Sequence, residues 1–107
     1  MRKYVVPLLL TFLLFAAPAN AAGTIKIGEI ATVTGDFAAY GVAEVESVKM
    51  AVKEINAKGG IMGKKVEVVM YDCRTRNEDM VNAARRLVQQ DKVCAVIGPS
   101  GSGLCIA

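Results

Sequence analysis

Apolar and polar residues alternate from Ile25 to Ile30 (Ile-Lys-Ile-Gly-Glu-Ile), a period of two that predicts a β-strand. The stretch from Thr32 to Ala39, which carries Thr34-Gly35-Asp36, breaks that period and reads as a loop. Val45, Val48, Val52 and Ile55 then recur three or four apart, with Glu44, Glu46, Lys49, Lys53 and Glu54 between them, so a helix with one apolar stripe is expected. Gly59-Gly60 ends it, because glycine takes the left-handed conformation of a helix C-terminus without a Cβ clash. A second strand runs from Val66 to Tyr71 and stops at Asp72. Asn77 with Glu78 and Asp79 opens a second helix, predicted to bury Val81, Ala84, Leu87 and Val88 and to expose Arg85, Arg86, Gln89 and Gln90. Val93 to Ile97 is a continuous apolar run, the pattern of a strand covered on both faces, and Gly98-Pro99-Ser100-Gly101-Ser102-Gly103 turns from it into a third helix. The order β-α-β-α-β-(α) calls for an α/β fold: a parallel sheet with helices on both faces and right-handed crossovers. The last helix has barely begun at Ala107, so the sheet reads as incomplete and the chain as the front part of a longer protein.

The N-terminus follows none of these periods. Arg2 and Lys3 precede an uncharged apolar run from Val5 to Ala17, followed by Ala19-Asn20-Ala21. A helix of that length spans about 20 Å, short of the roughly 30 Å of a hydrocarbon core. The arrangement predicts a secretory signal peptide over residues 1–21, cleaved after Ala21, and an exported mature chain over residues 22–107. No Cys stands at the cleavage point to carry a lipid. The 13 basic residues, two of them Arg2 and Lys3, face 10 acidic ones, so the mature part is nearly neutral and no nucleic-acid partner is implied.

Candidate chemistry is narrowed by what is missing. With no His in the chain, zinc sites of the common Cys/His type and Ser-His-Asp or Cys-His catalytic arrangements are excluded, and neither a metal nor another cofactor is expected. Cys94 reads as a small buried hydrophobe within its strand. Cys73 and Cys105, each following a strand, are the better candidates for a disulfide. The glycine-rich loop has the spacing of a phosphate-binding P-loop but carries Leu104 and Cys105 in place of the Lys and hydroxyl that such a loop needs, so nucleotide hydrolysis is not expected. It does offer backbone N–H groups at Ser102 and Gly103 and the Ser102 hydroxyl to a small carboxylate. Ligands in open α/β sheets bind beyond the carboxyl ends of the strands, which places Tyr40 near the same end as a flat apolar lining group. Glu29 and Asp72 are the only carboxylates at strand ends in reach of acid–base work, and solvated or capping roles are the simpler reading.

Ile25-Lys26-Ile27-Gly28, Thr34-Gly35 with Ala39-Tyr40-Gly41, the run Ala51-Val52-Lys53-Glu54-Ile55-Asn56-Ala57-Lys58-Gly59-Gly60-Ile61-Met62-Gly63, and Ala95-Val96-Ile97-Gly98-Pro99 resemble, in order and spacing, the start of a periplasmic leucine/isoleucine/valine-binding protein. The resemblance covers essentially all of the mature chain. It implies a type I solute-binding protein, in which two α/β lobes close about a hinge on an amino acid and deliver it to the membrane permease of an ATP-driven importer (an ABC transporter). It further implies a periplasmic location and no enzymatic activity. By the same resemblance Ser102 contacts the ligand carboxylate and Tyr40 lines the pocket, while the remaining contacts lie beyond residue 107; Gly103, next to Ser102, is a further candidate for ligand binding. This chain has Asp36 where many members have Pro, and Thr75 and Gly101 where some members form a disulfide, so a link between those loops would have to use Cys73 and Cys105. Relatives that bind short amides, urea or aromatic acids share this N-terminal pattern, and a ligand-sensing receptor domain of the same fold is the alternative of a different class.

Overall fold

A computed structural model describes residues 23–106, so the expected signal peptide lies outside the described residues. Three parallel strands, β1 (Thr24–Ala31), β2 (Lys65–Asp72) and β3 (Ala95–Ile97), are ordered β2-β1-β3. Helices α1 (Ala38–Ala57) and α2 (Asn77–Gln89) fill the two connections, and the short α3 (Ser102–Cys105) follows β3. The chain leaves β1 in one direction to reach β2 and passes back over it to reach β3. Right-handed crossovers in opposite directions therefore put α1 and α2 on opposite faces, as the element order predicts.

Strand alternation divides the contacts accordingly. Pairing sets Gly28 beside Val69 and Ile30 beside Tyr71 on one face, and Glu29 beside Met70 on the other. The first face holds the core: Ile30, Cys73, Met80, Ala83, Leu87 and Leu104 are buried together. The buried stripe of α2 is thus Met80-Ala83-Leu87, with Val81 and Ala84 half-buried, and not the expected stripe through Val88, which is 61% exposed. Gly28 explains the rotation. A Cβ there would lie 2.8 Å from a Leu87 methyl, so the missing side chain is the socket that receives Leu87 and fixes which side of α2 faces the sheet. The Arg86 guanidinium, one residue earlier, lies 4.5 Å above the Tyr71 ring, whose hydroxyl donates to Asp91 at 2.9 Å.

On the opposite face the predicted stripe of α1 is the one that turns inward, with Val45 buried and Val48, Val52 and Ile55 half-buried. The helix begins at Ala38, inside the stretch expected to be loop, and closes tightly on β1. A Cβ on Gly41 would meet the Thr32 carbonyl at 2.2 Å. At its other end the Asn-Ala-Lys-Gly-Gly-Ile-Met-Gly run has a mechanical role. The Asn56 amide accepts from the Val66 N–H at 2.8 Å and donates to the Val66 carbonyl at 2.9 Å, imitating a strand at the start of β2. Between them Gly60 (φ +79°) leaves room for the Lys64 carbonyl, which a Cβ would approach to 2.0 Å.

Two expectations for the third strand are corrected. β3 has three residues, because the Val93 N–H is spent on the Leu87 carbonyl at the end of α2 and Lys92 takes a positive φ of 53°. All three residues are exposed, since no neighbour covers this edge among the described residues. Cys94 precedes the strand, donates its N–H to Lys26 at 2.9 Å, and is likewise exposed, not buried. Among the described residues no helix is long and apolar enough to cross a membrane.

Candidate functional site

The three loops that follow the strands meet at one end of the sheet, and polar side chains tie the first two into one body. Asp72, the last residue of β2, accepts from the Val33 N–H at 3.1 Å, the Thr34 hydroxyl at 2.5 Å and the Arg74 N–H at 2.9 Å. Burial would push the Asp72 carboxyl up, but these donors outweigh it and hold it below the usual carboxylate range. Asp72 therefore acts as a staple between loops. Arg74 and Thr75 both take left-handed backbone (φ 51° and 57°), which turns the chain sharply into α2. That turn is locked by the Arg74–Asp79 pair, bidentate at 3.0 and 3.1 Å, with Asp79 in the first turn of the helix. The Thr75 hydroxyl accepts from the Phe37 N–H at 3.4 Å and donates to the Thr34 carbonyl at 3.2 Å. Gly35 (φ +88°) makes this approach possible, as a Cβ there would lie 2.7 Å from the Thr75 hydroxyl oxygen. At the position where the family resemblance expects half of a disulfide, a threonine thus joins the same neighbourhood through hydrogen bonds.

The third loop is built differently. Gly101 donates to the Pro99 carbonyl at 2.9 Å, and its own carbonyl accepts from Leu104 at 3.0 Å and Cys105 at 3.2 Å, opening α3. Leu104 anchors the short helix in the α2-face core. Its first amides, at Ser102 and Gly103, precede any intrahelical acceptor and remain available to a ligand. Apart from its chain neighbours and its own helix backbone, no atom of the described residues lies within 4 Å of a Cβ built on Gly103, so the space beside it is open. The Ser100 hydroxyl reaches across to the Glu44 carboxylate on α1.

Between the stapled loops and this one opens a cleft of about 490 Å³, lined by Phe37, Thr75, Asn77, Gly101, Ser102, Gly103 and Leu104. Of the candidates read from the sequence, Ser102 and Gly103 come together here. Tyr40 does not line the cleft: it projects from the first turn of α1, 67% exposed, with its ring 6.3 Å from that of Phe37. Phe37, from the loop itself, supplies the aromatic wall. The signal for it was an aromatic residue between Asp36 and the start of α1, three residues before the one selected. Glu29 and Asp72 stand outside the cleft lining. Glu29 is buried beneath α1, where burial first and the Glu44 carboxylate second push its carboxyl up while Lys49 pulls it down, and one of its oxygens has no partner. Cys73 is buried in the core and Cys105 is exposed with its thiol toward the Pro99 carbonyl, so the suggested pairing is not formed.

A parallel sheet ordered 2-1-3 with a cleft at the carboxyl ends of its strands is common to many binding folds, and comparison with known proteins decides among them. Residues 24–107 match the family described as periplasmic binding protein. The chain belongs to that family. It is 36% identical to the Leu/Ile/Val-binding protein homolog 7 of Brucella suis over all of its own length and 26% of that protein's, and 40% identical to the Leu/Ile/Val-binding protein BraC3 of Rhizobium johnstonii over 97% of its length and 28% of that protein's. Among solved structures, the branched-chain amino acid transporter substrate-binding protein LivJ of Streptococcus pneumoniae in complex with isoleucine superimposes with a TM-score of 0.76 at 46% identity, covering 78% of this chain and 24% of that one. This member of the periplasmic binding protein family therefore spans about a quarter of the length of the relatives it matches. Its open three-stranded sheet corresponds to part of a type I lobe.

Proposed function

We propose that this chain forms part of the first ligand-binding lobe of an exported solute-binding protein, which takes up a branched-chain amino acid in the periplasm and hands it to the permease of an ABC importer. The observation that carries this reading is the cleft itself, whose lining brings Ser102 and Gly103 together with Phe37. A hydroxyl and free backbone amides beside an aromatic ring suit a small molecule with a carboxylate at one end and an apolar side chain at the other. Relatives named for leucine, isoleucine and valine, and a solved neighbour holding isoleucine, support that class of solute. The amino group would find its acidic partner in a second lobe, and Tyr40, beside Phe37 at the rim, would meet the ligand or that lobe on closure. Export would remove residues 1–21, leaving Ala22 as the first residue found by N-terminal sequencing.

A second reading keeps the carboxylate and changes the rest. A solute-binding protein of Rhodopseudomonas palustris, solved with 3,4-dihydroxybenzoic acid, superimposes with a TM-score of 0.62 at 29% identity over 68% of this chain. Calorimetric titration of the complete two-lobed protein with leucine, isoleucine, valine and 3,4-dihydroxybenzoate separates the two. Ser102→Ala should weaken binding of the preferred ligand by about 1.5 to 3 kcal/mol, the range for a hydrogen bond to a charged group. An unchanged affinity would remove Ser102 from the site, and binding of the aromatic acid alone would replace the amino-acid reading with the second.

A further inference from the structure

The loop between β3 and α3 leads directly into the proposed carboxylate contacts at Ser102 and Gly103, and its turn is closed by short-range backbone bonds, from Gly101 to Pro99 and from Leu104 and Cys105 to Gly101. Leu104 anchors α3 in the α2-face core, and the loop is held to α1 by a side-chain bond in which the Ser100 hydroxyl donates to Oε2 of Glu44, 56 residues earlier in the chain. Both residues are partly buried, so water competes weakly for the contact. Glu44 stands one helical turn after Tyr40 on α1, and positions four apart share a helix face. The same face of α1 thus presents Tyr40 to the rim and Glu44 to the loop. Ser100 in turn is two residues before Ser102, close enough that fixing one restricts the other. Glu44 also lies near enough to the buried Glu29 to add to the push that burial exerts on the Glu29 carboxyl.

We propose that Glu44 is a positioning residue for the ligand: through Ser100 it holds the β3–α3 loop against α1, so that the Ser102 and Gly103 donors are in place before the ligand arrives. The inference rests on the reading of Ser102 and Gly103 as ligand contacts. Preorganisation of this kind raises affinity because the ordering of the loop is not charged to each binding event. It also gives one tether joining α1 to the glycine-rich loop.

The experiment uses the complete protein with Ser100→Ala, Glu44→Ala and the rescue variants Ser100→Thr and Glu44→Gln, each of which keeps a donor or an acceptor at its position. Exchange of the hydrogen-bonded amides of the loop, those of Gly101, Leu104 and Cys105, should be about tenfold faster in either Ala variant, with β1 and β2 unchanged, as expected when one hydrogen bond to a charged group is lost. Leucine affinity should fall by a similar factor of about ten, with the double variant no worse than either single one, because the two residues act through one bond. In a Ser102→Ala background the loss from either substitution should shrink to the part carried by the Ser102 and Gly103 amides, and the rescue variants should recover most of the affinity. Unchanged exchange in the loop would overturn the proposal. So would an affinity loss that persists in full without Ser102, or one that simply follows a lower Tm. If the wild type takes up no amino acid at all, the functional reading fails first, and the exchange measurement still decides whether Glu44 orders the loop.

Discussion

Two carboxylates leave neighbouring strands near the same end of the sheet and meet opposite fates. Asp72, ending β2, is met by three donors and joins two loops, while Glu29, on β1, points under α1 with one oxygen unpartnered. Their surroundings differ in the same sense. The α2 face closes over a continuous core in which Leu87 is wholly buried, whereas the α1 face keeps an open groove among Val48, Val52, Val68 and Met70, with Glu29 at its base and Lys49 and Lys53 beside it. One face gains its stability from close packing into a socket made by a glycine. The other retains an open groove and a group whose charged form is disfavoured, and it is from this face that Glu44 reaches the β3–α3 loop.

The sharpest way to break this comparison is to make the same kind of deletion on each face. Leu87→Ala should cost about 2 to 5 kcal/mol, because it empties the socket over Gly28, whereas Val48→Ala on the half-open face should cost about 1 kcal/mol or less. Urea titration of both variants measures the difference, and equal losses would show that the two faces are packed alike.

The carboxylates give a smaller contrast, of opposite sign with pH. Asp72→Asn should destabilise by about 1.5 to 3 kcal/mol, since charge-assisted bonds to Val33, Thr34 and Arg74 are weakened together. The Asp72 carboxyl is depressed in the folded state, so its contribution is present above the usual carboxylate range and is lost as pH falls through its lowered pKa. The difference between wild type and Asp72→Asn should therefore shrink on acidification.

Glu29 works the other way and with the smallest effect. Its carboxyl is raised, so the folded state favours the protonated form. The resulting stabilisation is present below the usual carboxylate range and is lost as pH rises through the raised pKa. Glu29→Met, which fills the same volume without a charge, should be neutral or stabilising by about 1 kcal/mol at neutral pH, with the advantage vanishing in acid. A destabilised Glu29→Met variant at neutral pH would mean that the buried carboxylate is paired in solution and that the two faces are more alike than they look.

Much of the frame was legible from period alone. The alternation from Ile25 to Ile30 and the Val45-Val48-Val52-Ile55 stripe became β1 and the inward side of α1 because each pattern admits one burial geometry. The stripe of α2 was misread because its sequence offers two adjacent apolar sides, one through Val81 and Val88 and one through Met80, Ala83 and Leu87. Choosing between them needs the socket at Gly28, on a strand some 59 residues away. The site shows the same limit. The turn that follows β3 brings Ser102 and Gly103 into the cleft lining, whereas nothing local says which of the two aromatic residues flanking the helix start, Phe37 or Tyr40, will face the cleft.

The sequence by itself determined the order of elements, the parallel α/β sheet they require, the glycine turns and the kinship with periplasmic binding proteins, since each of these depends on residues close together or on a pattern spread along the whole chain. Only the tertiary structure decided that Thr75 and Asp72 would bind the first two loops together, that Phe37 would wall the cleft, and that Ser100 would find Glu44. Those contacts join residues 38 to 56 positions apart, and at such distances side-chain type gives no register. The fold has to bring the partners within about 3 Å before a hydrogen bond can select among them.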